Sequence, residues 1–252
     1  MTESELEGMR AAGRLAADAL EYVGSKIRVG MKTEEINTLA HHYILAHGAY
    51  PATLNYKGFP KSLCTSVNNV VCHGIPGSLV LKDGDIINVD ITVILKGFFG
   101  DTSKTFYVGS PGDEARRVTE VCRTAFELGI AAVRPGGHLG DVGAAIQSYV
   151  EGQGCSVVTA FVGHGIGKRF HLPLQVHHVG RKGTGEPLRP GMIFTVEPMI
   201  NLGSPEVYVD QQDKWTVFSE DGSLSAQFEH TILVTGKGSE ILTLPGATDD
   251  IA

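Results

Sequence analysis

The sequence predicts a mixed α/β domain built as two related halves that pack about a pseudo-twofold axis. Three observations point there: helical and strand-like stretches alternate, the chain repeats itself at a nearly constant offset, and acidic residues stand inside apolar strands. The halves cover about 1–108 and 109–246 of a single domain spanning 1–252.

Along the chain, Thr2-x-x-Glu5 has the spacing of a capping box. Leu6, Met9, Leu15, Leu20 and Val23 then recur at helical intervals, which predicts an amphipathic helix over residues 3 to about 25. Gly30 breaks it, Thr33 can cap a second helix, and Ile36, Leu39, Tyr43 and Ile44 give that helix its apolar face. The stretch NVDITVILKGFFGDTSKTF, residues 88–106, reads as a β-hairpin. The second half opens the same way, with a helix over about 113–133 broken at Pro135-Gly136 and a shorter one to about Glu151.

The repetition extends to residues. Segment 27–48 lies on 133–154 at an offset of 106, matching Arg28 with Arg134, Gly30 with Gly136, Tyr43 with Tyr149 and Gly48 with Gly154. LKDGDIINVD (81–90) lies on LRPGMIFTVE (188–197) at an offset of 107, so Asp90 falls on Glu197. VVCHGIPG (70–77) lies on FVGHGIGK (161–168), placing His73 on His164. Each match is short, but their common order makes an internal duplication the better reading. The twice-supplied histidine and carboxylate then converge at the seam between the halves.

Strand side chains alternate faces, so Asp90 shares its face with Thr92 and Ile94, and Asp101 shares its own with Ser103 and Thr105. A two-residue turn centred on Leu95-Lys96 sets the two aspartates directly opposite. One centred on Lys96-Gly97 makes them diagonal neighbours on one face, roughly 7–8 Å apart. Both turns put them on the same face. Two half-buried carboxylates so close need a shared proton, a basic side chain or a cation. Lys104 is the near basic candidate, yet its parity puts it on the other face from Asp101. Glu197 in FTVEPMI and Glu229 in SAQFEHTIL bring two more acids inside apolar runs. Four acids with one or two histidines are too many for a dyad and suit two divalent ions. Imidazole among the donors favours Mn, Fe, Co or Zn over Ca or Mg.

The bulk numbers exclude other classes. A chain of 252 residues, 42% hydrophobic and 19% charged, can bury a sizeable core. Its net charge of −7 opposes DNA binding, which needs a basic face. No apolar run approaches the roughly 18–20 residues that cross a bilayer. The opening MTESELEGMR lacks the basic-then-apolar shape of a secretory signal, so a cytoplasmic location is expected. Cys64, Cys72, Cys122 and Cys155 show no CxxC spacing, as expected of free core thiols in a reducing compartment.

HGIPG, NVDITV, GDTSKTF, GHGIGKRFH, TVEPM and AQFEHTI, in this order, resemble the type I methionine aminopeptidases in their compact bacterial form. The resemblance runs from the first helix to about Leu244. It implies the pita-bread fold, an α/β (α+β) arrangement of two related halves around a central antiparallel sheet flanked by helices. It also implies a catalytic domain that removes the N-terminal methionine of nascent proteins and peptides, favouring a small second residue. Two divalent ions (Co, Mn, Fe or Zn) would be held by Asp90, Asp101, His164, Glu197 and Glu229, with Asp101 and Glu229 bridging and Asp90 bidentate on one ion. Glu197 would shuttle the proton, His73 would steady the scissile amide, and His171 would donate to its carbonyl oxygen.

By the same pattern, Thr53, Tyr56, Phe59, Cys64, Phe170 and Trp215 would line the methionine pocket, and Asn68, Val70 and Ser225 would hold a monovalent cation. Work on nascent chains implies transient contact with the ribosome, and the compact acidic chain is expected to be a monomer. Two departures stand out: Thr53 replaces the Cys of many bacterial members, and Leu172-Pro173-Leu174 follows His171 where they often read Glu-Glu-Pro. That changed loop, with His177-His178 after it, is expected to border the cleft. The rivals are a proline-specific peptidase of the same fold, which generally carries a further N-terminal domain, and a metal-free binding module. A module should have lost donors, and all five positions are filled.

Overall fold

The computed structural model describes residues 1–246; the last six residues of the expected domain lie outside the described residues. Helix α1 (Glu3–Gly24) starts at the expected box: Thr2 Oγ1 accepts from the Glu5 N–H, and the Thr2 N–H donates to Glu5 Oε2 at 2.8 Å. Helix α2 (Thr33–Ala46) corrects one expectation. Lys32, not Thr33, occupies its N-cap position, and the Lys32 N–H donates to Glu35 Oε2 at 2.7 Å. The Thr33 hydroxyl is taken by a distant loop, accepting from the Gly77 N–H and donating to the Gly77 carbonyl. In the second half, α3 (Asp113–Ala131) and α4 (Leu139–Gly152) follow the expected break at 135–136.

The strands of the first half are β1 (Tyr50–Pro51), β2 (Cys64–Val67), β3 (Val70–Cys72), β4 (Ile86–Leu95) and β5 (Phe98–Tyr107). Those of the second are β6 (Ser156–Val157), β7 (Gly163–Gly165), β8 (Leu172–Val176), β9 (Ile193–Val196) and β10 (Met199–Asn201). They continue with β11 (Val207–Val209), β12 (Val217–Ser219), β13 (Ser225–Gln227), β14 (His230–Val234) and β15 (Ser239–Ile241). Every pairing is antiparallel. One sheet runs β1-β4-β2 with β5 on β4, and another runs β15-β14-β9-β7-β8. A bridge between Ser103 and Glu229 joins them, with reciprocal backbone bonds of 3.3 and 3.0 Å.

The repeat is visible in the backbone. Gly30 and Gly136 both take positive φ, at 84° and 81°, and donate to Leu81 and Leu188 at 2.8 and 2.9 Å. Gly84 and Gly191 match at 93° and 90°, and Gly48 and Gly154 at 71° and 67°. A left-handed turn needs glycine at each place, which is why these residues stand out in the aligned sequences.

Packing fixes which way the carboxylates point. Ile87, Val89, Ile91 and Val93 of β4 bury one face against α1 and α2, in a core with Leu20, Val23 and Ile36. In the second half Phe194, Val196, Ile232 and Val234 do the same against α3 and α4. Each such side chain contributes about 1.5–3 kcal/mol on burial. A one-residue slip would turn all of them outward, so register is firmly held and the alternate residues must face the opposite side. Those alternate residues include Asp90 and Thr92.

Candidate metal centre

Leu95 pairs with Phe98, and Lys96 and Gly97 both have positive φ, at 51° and 83°. The hairpin turn is therefore centred on Lys96-Gly97, the diagonal arrangement of the two left open above. Asp90 lies opposite Ser103 and Thr92 opposite Asp101. Cys64 faces Asp90 from β2, and the Ser103–Glu229 bridge extends the row across the seam. Asp90 and Glu229 thus share a face, with Asp101 one step along it. Val196 pairs with His230, which brings Glu197, the residue after β9, beside Glu229. His164 enters from β7, its N–H bonded to Thr195 Oγ1 at 2.9 Å. Gly163 allows this close approach, since a Cβ there would meet the Thr195 carbonyl oxygen at 2.4 Å.

Asp101, His164 and Glu229 each present a donor atom within 4.8 Å of the others. His164 Nε2 lies 3.6 Å from Asp101 Oδ2 and 3.7 Å from Glu197 Oε1. The His164 Nδ1–H donates to the Gly165 carbonyl at 3.1 Å, leaving the Nε2 lone pair facing the acids. Thr92 Oγ1 donates to Asp101 Oδ1, and Thr195 Oγ1 to Glu197 Oε1, both at 2.7 Å. The Glu197 N–H donates to Nε2 of His178, which is fully enclosed.

Electrostatics set the chemistry. Burial raises Asp90 to about 7, and burial with the Asp90 charge raises Glu197 to about 8. Burial, reinforced by the neighbouring acids, holds Asp101 and Glu229 well above the usual carboxylate range. Burial lowers His164. Among the described residues no Lys or Arg pairs with any of the four acids, and Lys104 instead binds Glu21 at 2.7 Å on the helical side. A basic partner is thus excluded, leaving protons or a cation. Converging carboxylates and a neutral imidazole with a free lone pair fit a divalent cation.

These acids floor a cavity of about 470 Å³. Every metal-site and pocket residue expected from the sequence lines it: Asp90, Asp101, His164, Glu197 and Glu229, then His73 and His171, then Thr53, Tyr56, Phe59, Cys64, Phe170 and Trp215. His73 holds a positive φ of 56° and packs edge-on against Phe161 and Trp215; burial lowers it to about 4. The His171 ring lies 4.0 Å from that of His164, and its Nδ1 is 3.0 Å from the Tyr56 hydroxyl. Phe59 and Trp215 meet at 5.2 Å, and Phe170 packs on Tyr56. Thr53 is buried, and its hydroxyl finds no partner among the described residues.

Asn68, Val70 and Ser225 stand outside this cavity, around the β2–β3 turn. There the Ser225 N–H donates to the Asn68 carbonyl at 2.9 Å. The expected cleft loop after His171 is a strand: β8 pairs with β7, and Leu172, Pro173, Leu174 and Gln175 line the cavity from it. Sequence reasoning passed over Lys57, Phe161, Met199 and Thr195. Only Thr195 had a signal, standing two residues before Glu197 on the same strand face.

The profile of metallopeptidase family M24 matches residues 7–236. Methionine aminopeptidase A of Synechocystis sp. (strain ATCC 27184 / PCC 6803 / Kazusa) is 54% identical over 245 residues, 97% of this chain and 96% of that protein. The methionine aminopeptidase of Rickettsia prowazekii (strain Madrid E) is 52% identical over 243 residues, 96% of this chain and 94% of its own. The crystal structure of methionine aminopeptidase from Rickettsia prowazekii superposes with a TM-score of 0.96, covering 97% of this chain and 98% of that one.

Proposed function

Since the chain belongs to metallopeptidase family M24, and within it to the type I methionine aminopeptidases, we propose that it cleaves N-terminal methionine from nascent proteins and peptides with two divalent cations held by Asp90, Asp101, His164, Glu197 and Glu229. The observation that carries the proposal is the convergence of buried acids and His164 on a cavity floor that His73 and His171 also line. The chemistry divalent cations supply in such a site is acidification of a bound water and stabilisation of the negative charge that grows on the tetrahedral intermediate.

The chain's own residues do the rest. Glu197, oriented by Thr195 and by Gln227 Nε2, takes the proton from the attacking water and passes it to the leaving nitrogen. With the Tyr56 hydroxyl donating to His171 Nδ1, the Nε2–H of that ring is free to donate to the substrate carbonyl. His73, kept neutral by burial, hydrogen-bonds the scissile amide. Phe59, Trp215, Tyr56, Phe170, Cys64 and Thr53 enclose the methionine side chain in apolar and aromatic surface, which suits a thioether. A small second residue is preferred. A monovalent cation at Asn68, Val70 and Ser225 belongs to the same reading, supported by a buried Ser225 hydroxyl with no partner among the described residues. So does a monomer working in the cytoplasm, in passing contact with the ribosome; no described helix is long and apolar enough to cross a membrane.

The test dialyses the protein against chelator, adds back Co or Mn, and compares Met-Ala-Ser with Xaa-Pro peptides. Metal-restored release of methionine is expected. Turnover of the Xaa-Pro peptides alone would transfer the chain to the proline-specific branch, and neither metal uptake nor turnover would make it a binding module.

A further inference from the structure

We propose that the mouth of the cavity forms a subsite for the substrate residues after the second, in which the Lys57 ammonium selects acidic over basic side chains. The inference rests on the methionine-releasing reading and adds a charge preference to it. Among the described side chains lining the cavity, Lys57 is the single Lys or Arg. It is exposed, and among the described residues no carboxylate pairs with it.

Its place is held by a tight turn. Lys57 takes a left-handed backbone, φ 47° and ψ 30°, between Asn55 at φ 65° and Gly58 at φ 90°. Left-handed non-glycine residues cost conformational energy and concentrate where a side chain must be aimed. The Lys57 Nζ lies 5.3 Å from the centre of the Tyr56 ring, the ring whose hydroxyl meets His171.

On its β8 side the cavity carries no charge. Leu172, Pro173, Leu174 and Gln175 line it from β8, with Pro173 and Gln175 exposed. The acids of the cavity lie on its floor, where the scissile bond must sit. A peptide held there by its first two residues leaves past the exposed part of the lining, which includes Lys57, Pro173 and Gln175. Its following side chains meet one cation, apolar surface and a carboxamide.

The experiment measures kcat/KM at low salt on C-terminally amidated peptides of the form Met-Ala-Xaa-Gly-Gly and Met-Ala-Gly-Xaa-Gly, with Glu, Gln or Lys at Xaa. Amidation removes the terminal carboxylate as a rival partner for Lys57. In at least one series Glu should exceed Gln and Gln exceed Lys, by about two- to fivefold overall, the range of an exposed ion pair. The spread should shrink as salt rises. Lys57→Glu should invert the order, and Lys57→Met, which keeps the aliphatic stem, should flatten it. Equal rates for Glu and Lys in both series, or an order unchanged in Lys57→Glu, would overturn the subsite while leaving methionine release intact. No turnover of any of these peptides would instead bring down the underlying activity and the subsite with it.

Discussion

Stripping divalent cations from this protein should make its stability fall with rising pH. Burial holds Asp90 at about 7 and Glu197 at about 8, and Asp101 and Glu229 well above the usual range, against ordinary values of 3.8 and 4.5. The unfolded chain ionises all four above about pH 5. The folded, metal-free chain retains protons that the unfolded chain has released. Stability that is full below the unfolded values is therefore lost as pH rises through the folded ones. Buried histidines act with the opposite sign: His73, His178 and His230, lowered by burial to about 4, 3 and 4, penalise the fold only below about pH 6.5. The interval from about pH 6.5 to about pH 8 thus isolates the carboxylates. At about 1.36 kcal/mol per pH unit, each one still protonated costs roughly 2 kcal/mol across it. One to three such groups give roughly 2–6 kcal/mol, and a domain of this size loses about 2–4 °C per kcal/mol. The Tm of chelator-dialysed protein should drop by at least about 4 °C over the interval, read by thermal unfolding with and without added Mn. Added Mn should flatten the curve by holding the carboxylates ionised. A metal-free Tm that stays constant, or climbs toward pH 8, would refute the buried-acid reasoning.

Glu197→Gln keeps the size of the side chain and removes its charge; turnover should fall by about 10²–10⁴ with weaker metal uptake, and near-normal rates would contradict its dual role. His73→Ala should lower kcat by about 10²–10³ while metal content, read by elemental analysis, stays at the wild-type level. Trp215 is the sole tryptophan and sits between Phe59 and His73, so saturating methionine should change its emission; unchanged spectra would place the methionine side chain elsewhere.

Strand parity made the site legible. Asp90 and Asp101 could be set on one face because either two-residue turn preserves parity. The diagonal offset could not be chosen in advance, since it depends on Lys96 accepting a left-handed backbone. Glu197 and His164 were legible through the repeat, which maps an acid on an acid and a histidine on a histidine. The Thr33 cap failed because its hydroxyl is engaged from Gly77, 44 residues away, and no local spacing encodes that contact. Strand β8 was expected as a loop, and Pro173 is a residue that sheets seldom hold. The proline is tolerated because β8 is the edge of its sheet, where a missing N–H costs no ladder bond. Lys57 was invisible for a similar reason, because its position at the mouth comes from consecutive backbone turns rather than from any pattern in residue type.

Burial acts on both kinds of donor in this cavity, with opposite consequences for a cation. It pushes imidazoles toward the neutral form, in which the lone pair of His164 is already available. It pushes the carboxylates toward the neutral form too, and there the proton occupies a position that a cation needs. The histidine is ready before any ion arrives, whereas the acids must first give up their protons. Cation uptake should therefore be linked to pH through Asp90 and Glu197, near 7 and 8, with the more deeply held Asp101 and Glu229 adding to it. It should not follow the ordinary histidine range near 6.5. Apparent affinity should rise about tenfold per pH unit for each proton displaced. Titration calorimetry of Mn in buffers of different ionisation enthalpy reads that proton count directly. A count near zero at neutral pH would mean that the acids are already ionised in the metal-free fold, although no Lys or Arg pairs with them among the described residues.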